Sequence, residues 1–231
     1  MKIGSYAAAL GSIEQQKRLD VISNNIANAS TSGYKRDDVH FRDFLYETTY
    51  TETKPGPVKE TQNPLDIALV GDGYLKVQTD QGILYSRAGN LTLNQERTLV
   101  TAEGYPVLGQ NGPIQLQDDT SSVETLRIES DGQVFDGDNS IDTLDIVQFP
   151  KETILRKTKG VYLKPMNDQD QPTQAENCSV KQGSIEGANF NVVEEMTRMV
   201  DTMRMFEAYQ KVLQTTHQDL DGAIISKLGG P

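Results

Sequence analysis

Residues 192–224 read VVEEMTRMVDTMRMFEAYQKVLQTTHQDLDGAI, and the periodicity of this stretch decides the fold. Val192, Met196, Met199, Met203, Phe206, Gln210, Leu213, His217, Leu220 and Ile224 recur in alternating steps of four and three, and eight of these ten are apolar. That spacing keeps one narrow stripe turned toward a partner helix, as in a heptad seam. Asn191 is a suitable N-cap with Glu194 three residues on, and Glu194 and Glu195 favour the positive end of the helix dipole. A helix over about 191–226 spans roughly 50 Å. A seam so long and narrow cannot be covered by a small β domain, so it requires another helix.

The opposite end of the chain offers one. Ile3, Tyr6, Leu10 and Ile13 recur at spacings of three and four, and Leu19, Ile22 and Ile26 continue on a shifted stripe. Ala7, Ala8 and Ala9 add helix propensity. The helix is expected over about 1–31, ending at Thr31-Ser32-Gly33, where glycine takes the left-handed conformation that stops a helix. Met196, Met199, Met203, Phe206 and Leu213 are expected to pack on Tyr6, Leu10, Ile13, Leu19 and Ile22 of the same subunit, with the remaining apolar edge left for neighbouring copies. At ~25 cal/mol per Å², several hundred Å² of apolar area per helix contributes on the order of 10 kcal/mol before ordering costs.

Between the helices the periodicity changes to strands. Leu65, Ile67 and Leu69 share one strand face, and Gly71-Asp72-Gly73 turns the chain before Tyr74 to Gln78. Further turn signals stand at Asp80-Gln81-Gly82, Ala88-Gly89-Asn90, Glu103-Gly104, Asn111-Gly112-Pro113, Asp131-Gly132 and Asp136-Gly137. The expected fold class is α+β, with paired, coiled-coil-like terminal helices and a central antiparallel β barrel or sandwich-like domain. The expected segments are an assembly helix at 1–35, a linker or extended hairpin at 36–63, a β domain at 64–187 and a second assembly helix at 188–231.

Composition narrows the function classes. Hydrophobic residues are 36 % of the 231, tryptophan is absent, and part of the chain is therefore expected outside any compact core. A formal charge of −11 gives no basic stripe for releasing phosphate counterions, which argues against nucleic acid and against anionic membrane surfaces. No apolar run reaches the length of a membrane span, and the N-terminus reads as an amphipathic helix rather than a signal peptide, so direct membrane insertion and Sec export are not expected.

The sequence offers no catalytic constellation either. The single cysteine, Cys178, has no second thiol for a disulfide and no companions for zinc. Asp131, Asp136 and Asp138 lack the spacing and terminal glutamate of a calcium loop, and a hairpin turn accounts for them. The adjacent carboxylates Asp118-Asp119 and Glu194-Glu195 do not read as a converging pair. His217 has no second histidine nearby. The amides of Asn24, Asn25 and Asn28 suit bonding to exposed backbone where helices pass closely. Neither a cofactor nor a metal is expected. The competing readings, a β-rich enzyme on a helical stalk and an adhesin that trimerises through its last helix, lack respectively a nucleophile–base pair and a role for the N-terminal helix.

Several blocks of residues carry a family resemblance. Asn24-Asn25-Ile26-Ala27-Asn28-Ala29-Ser30-Thr31-Ser32-Gly33-Tyr34-Lys35-Arg36 resembles the N-terminal signature of flagellar rod, hook and hook–filament junction proteins. The likeness continues through Pro64 to Leu69 with Gly71 to Tyr74, Ser86 to Asn90, Glu103 to Gly109, Gly183 to Asn191, Glu195-Met196 and Arg204 to Val212. Within the family, the short segment between Asp43 and Pro64 resembles a rod rather than a hook component, and a proximal-rod before a distal-rod one. The resemblance implies export through the flagellar type III apparatus, stacking with copies of itself and other rod proteins in a tube across the periplasm, and no catalysis. It makes Arg87 a structural ion pair or an intersubunit contact. The expected assembly interface is Ile3, Tyr6, Leu10, Ile13, Leu19, Ile22, Asn24, Asn25, Ile26, Asn28, Val192, Met196, Met199, Met203, Phe206, Leu213, Leu220 and Ile224.

Overall fold

The computed structural model describes residues 2–42, 46–116, 126–150, 152–167 and 169–228, with side chains at 2–3, 41–42, 46–48, 217 and 219–228 left out of the description. Asp118 and Asp119, and the side chains of Ile3, His217, Leu220 and Ile224, therefore lie outside the described residues. Two helices, α1 (Lys2–Ala27) and α2 (Val192–Leu228), bracket a series of short strands. The chain divides into a smaller unit of Met1–Ala27, Asp37–Tyr50 and Asn191–Pro231 and a larger one of Asn28–Arg36 and Thr51–Phe190. Among the described residues no helix is long and apolar enough to cross a membrane.

Capping explains where the helices begin and end. The N–H of Val193 donates to Asn191 Oδ1 at 2.9 Å, so Asn191 satisfies an orphan donor at the start of α2. α1 stops at Ala27, four residues before the expected end, because the chain already turns at Asn28. Thr31 N–H donates to the Asn28 carbonyl at 3.0 Å and Thr31 Oγ1 to Asn28 Oδ1 at 3.3 Å, local bonds that compete with helix. Gly33, at φ +65°, takes its left-handed conformation inside this turn rather than at the helix terminus. In the smaller unit, Asp37–Arg42 and Tyr46–Thr51 pair as a two-stranded sheet.

The larger unit is built on a six-stranded antiparallel sheet in the order Leu155–Lys159, Tyr162–Pro165, Gly82–Ser86, Tyr74–Thr79, Ile146–Gln148, Thr173–Gln174. Three- and two-stranded sheets surround a shared apolar core that includes Ile67, Leu75, Leu99, Val107, Ile114 and Val134. Of the two expected arrangements, barrel or sandwich-like, a closed barrel does not form among the described strands, and the two sheet edges show why. Leu155–Lys159 is bulged between Lys157 and Lys159 and carries Arg156, Lys157 and Lys159, while Thr173–Gln174 is a two-residue exposed strand. Short, charged, bulged edges prevent the edge-to-edge pairing that closure requires.

Several glycine turns are hairpins as expected. Gly82 joins Tyr74–Thr79 to its partner strand, and Gly137 joins Gln133–Asp136 to Asn139–Thr143, which accounts for Asp136 and Asp138. Gly71-Asp72-Gly73 differs. Ile67–Gly71 pairs with Cys178–Gln182 rather than with the next strand, so these residues cross between sheets. Gly71, at φ +110°, lies against the Asn177 carbonyl, where a Cβ would overlap it.

Candidate assembly site

In the smaller unit, α1 and α2 pack on each other through small and polar residues. α1 buries Ala8, Gly11, Ser12, Gln15, Ile22 and Asn25, and α2 buries Glu195 and Thr202, with Met199, Phe206, Tyr209, Gln210 and Leu213 half-buried. Gly11 sets the approach: a Cβ there would sit 2.6 Å from the Tyr209 ring. One residue further on along each helix, Gln210 Nε2 donates to Ser12 Oγ at 2.8 Å. Glycine and serine at consecutive positions let the helices close to a distance that a leucine pair would not allow.

This arrangement corrects the expected intramolecular seam. Ile22 is buried and Leu10, Leu19 and Ile26 are half-buried, but Tyr6 is 61 % and Ile13 64 % exposed, because they project from the face of α1 opposite Ala8 and Gln15. On α2 the stripe divides in the same way. Val192, Met199, Phe206 and Leu213 are half-buried, whereas Met196 and Met203 are about half exposed. With Val193 and Val200, also exposed, they form a second apolar row in steps of three, four and three. Met205 and Val212 are exposed seven residues apart.

The asparagines divide by role. Asn25 is 1 % exposed; its Nδ2 donates to the Asp37 carbonyl at 2.8 Å and its Oδ1 accepts from the Asp37 N–H at 3.1 Å. It thus bonds strand backbone rather than a passing helix. Asn24 is exposed and Asn28 half-buried. Around α2, Arg198 bridges Glu195, 1 % exposed, at 3.2 Å and Asp38 at 3.5 Å.

The larger unit holds a buried ion cluster of which sequence reasoning identified one member. Arg87 Nε donates to Glu186 Oε2 at 2.6 Å, and the guanidinium also donates to the carbonyls of Leu69, Gly71 and Gly73 at 2.9–3.0 Å. Lys35 Nζ donates to Glu186 Oε1 at 2.5 Å and to the Lys54 carbonyl at 2.7 Å. Burial pulls the Lys35 ammonium down to about 8; Glu186 pulls the other way and Arg87 adds to the depression. Burial likewise pushes the neighbouring Tyr74 phenol up to about 12. Arg87 is therefore the structural ion pair of the two expected roles. Lys35 and Glu186 carried no sequence signal for a pairing across 151 residues.

A cleft of about 450 Å³ is lined by Thr53, Asp72, Tyr74, Arg87, Phe149 and Leu155. Of its two cations, Arg87 is already committed to Glu186 and backbone carbonyls and Lys54 lies beside Glu52, and no nucleophile with a base lines it. Among the described residues no group of three His, Cys, Asp or Glu side chains is placed to hold a metal ion.

Comparison with known proteins matches three family models along the chain. Residues 6–35 match the model "Flagella basal body rod protein", residues 68–135 "Flagellar hook protein FlgE/F/G D1 domain" and residues 181–225 "Flagellar basal body rod FlgEFG protein C-terminal". The chain is 29 % identical over 238 residues to the flagellar basal-body rod protein FlgF of Mesorhizobium japonicum, covering 97 % of each. It is 31 % identical over 254 residues to the rod protein FlgG of Bacillus subtilis, covering 93 % of this chain and 95 % of that one. With FlgG of Agrobacterium fabrum the identity is 31 % over 267 residues, covering 95 % and 97 %. Identity near 30 % across almost the full length of these relatives, together with rod models at both ends, shows that the chain belongs to the flagellar basal-body rod protein family.

Proposed function

We propose that this chain is a structural subunit of the proximal flagellar rod, joined to copies of itself and to other rod proteins through the outer faces of α1 and α2. The observation that carries the reading is the exposed row Val193, Met196, Val200 and Met203 on α2, matched on α1 by exposed Tyr6 and Ile13. Apolar side chains at heptad spacing that stay exposed among the described residues suit a coiled-coil-like contact with a helix of a neighbour. Methionine adapts to the inequivalent contacts of a helical assembly. Of the remaining candidate residues, Leu10, Leu19, Ile22, Asn24, Asn25, Ile26, Asn28, Val192, Met199, Phe206 and Leu213 support these faces from within the helix pair and its flanks.

In this reading the protein is a shaft component and not an enzyme; it leaves the cell interior through the flagellar type III apparatus and stands in the periplasm, where the rod transmits torque. The proximal assignment rests on length. The FlgG comparisons run over 254 and 267 residues against 238 for FlgF, so the FlgG relatives carry stretches that this chain lacks. The identity to FlgG keeps a distal-rod place as the second reading.

Introducing Met203→Asp or Val200→Asp tests the interface. Electron microscopy and sedimentation of the purified full chain should show loss of tubular assembly, while exchange protection in the larger unit stays unchanged. Tubes formed normally by both variants would sink the reading.

A further inference from the structure

Glu186 gathers segments that are far apart in the chain. Its Oε1 accepts from Lys35 Nζ and from the Gly56 N–H at 2.8 Å, its Oε2 from Arg87, and its backbone carbonyl from the Gly33 N–H at 2.7 Å and Ser32 Oγ at 3.2 Å. Lys35 precedes it by 151 residues and Arg87 by 99. All three charged side chains are at most 2 % exposed. Two glycines make the fit possible: a Cβ on Gly33 would overlap the backbone of Arg87 and Ala88, and one on Gly56 would overlap the Gly187 carbonyl.

Ile67–Gly71 with Cys178–Gln182 and Val58–Glu60 with Ser184–Glu186 also join distant parts of the chain, whereas the local hairpins of the larger unit have much shorter loops to close. Tyr74–Thr79 pairs with Gly82–Ser86, and Gln133–Asp136 with Asn139–Thr143, each across a tight turn. Short loops close at smaller entropic cost and therefore earlier than a loop of this length. Before Glu186 arrives, Lys35 and Arg87 cannot enter the interior, because a buried cation without its counter-charge is strongly unfavourable. Both remain hydrated, and the bonds that Gly33, Lys35 and Gly56 make to Glu186 are unmade.

We propose that Glu186 is a latch, a single buried carboxylate that closes after the local hairpins of the larger unit and fastens the passage after α1 and the loop at residues 54–56 only once the chain through residue 186 is in place. The latch couples the ordering of the segment leaving α1 to that of the strand leading into α2. Gly33-Tyr34-Lys35, which the latch would fasten, stands near the end of the family's N-terminal signature.

Pulse-labelled hydrogen exchange during refolding of the full chain from urea tests the order. The amides of Gly33 and Gly56 should gain protection at least about tenfold more slowly than those of Leu99 and Val107, whose carbonyl partners lie within the β core. In native Glu186→Gln, exchange at Gly33 and Gly56 should accelerate about 30-fold or more with Leu99 and Val107 little changed. Adding Lys35→Met should restore part of the lost protection, since the orphaned cation is gone. If Glu186→Gln unfolds the whole unit, recovery of folding in the double variant supports the latch. Protection of all four amides in one refolding phase, unchanged native exchange in Glu186→Gln, or global unfolding that the double variant does not reverse would each overturn it.

Discussion

The two units bury opposite chemistries. The larger one places Ile67, Leu75, Leu99, Val107, Ile114 and Val134 inside, all at most 1 % exposed, as a self-sufficient β core does. The smaller one turns Gly11, Ser12, Gln15, Asn25, Glu195 and Thr202 inward and leaves Tyr6, Ile13, Val193, Met196, Val200 and Met203 in solvent. Area removed from water is the main favourable term in folding, so the first unit gains most from its apolar core, and the second relies more on close approach and hydrogen bonds, with eight of its described large apolar side chains left exposed. In the proposed reading, stability and assembly fall to different parts of one chain.

The largest expected effect tests the self-sufficient half. Leu75→Ala removes a fully buried side chain from the β core and should cost about 3 kcal/mol, read as a shift in the urea midpoint. A cost below about 1 kcal/mol would mean that this core collapses around the cavity and that the contrast between the units is weaker than drawn. Gly11→Val addresses the other half. The added carbons collide with the Tyr209 ring, and about 1–3 kcal/mol of destabilisation should appear in helix melting followed by far-ultraviolet circular dichroism, with exchange at Leu99 and Val107 unaffected.

A shallower effect separates the ion cluster from the apolar core around it. The folded pKa of Lys35 lies at about 8, below its ordinary value of 10.5, so between these limits the unfolded chain binds more protons than the folded one. Stability therefore rises with pH across that window, the reverse of what a favourable lysine ion pair gives, with a slope of at most about 1.4 kcal/mol per pH unit. The difference between the wild-type chain and Lys35→Met isolates this slope, because the loss expected above pH 10 from Tyr74, whose phenol is pushed up to about 12, is common to both. A difference that falls with pH would show that Glu186 outweighs burial at Lys35.

Much of this contrast was legible in the residues. The step of three and four marked α2, Asn191 marked its start, and the glycine turns marked a strand-rich middle. Which face of each helix turns inward was not, because hydrophobic periodicity ranks Met203 above Thr202 and Ile13 above Ser12, whereas the contact selects for closeness and hydrogen bonding. An open sheet rather than a barrel depends on the bulge at Lys157 and the two-residue strand at Thr173, and neither has a sequence signature. The partnership of Lys35 with Glu186 was hidden for a third reason: both stood in quoted blocks, but charge pairing across 151 residues has no period to detect.

The smallest expected effect bears hardest on the division of labour. Val200→Ser exchanges an exposed apolar side chain on the outer row of α2 for a polar one. An exposed position without buried contacts changes monomer stability by no more than about 0.5 kcal/mol, so the urea midpoint of the dilute chain should hardly move. In the assembled state the same side chain is buried against a neighbour, and losing its apolar area should weaken each contact by about 1–2 kcal/mol, seen as a rise in the concentration at which tubes first sediment. The ratio of the two effects is the diagnostic quantity. If the monomer loses as much as the assembly, Val200 already has a partner within its own chain, and the outer row is core rather than interface.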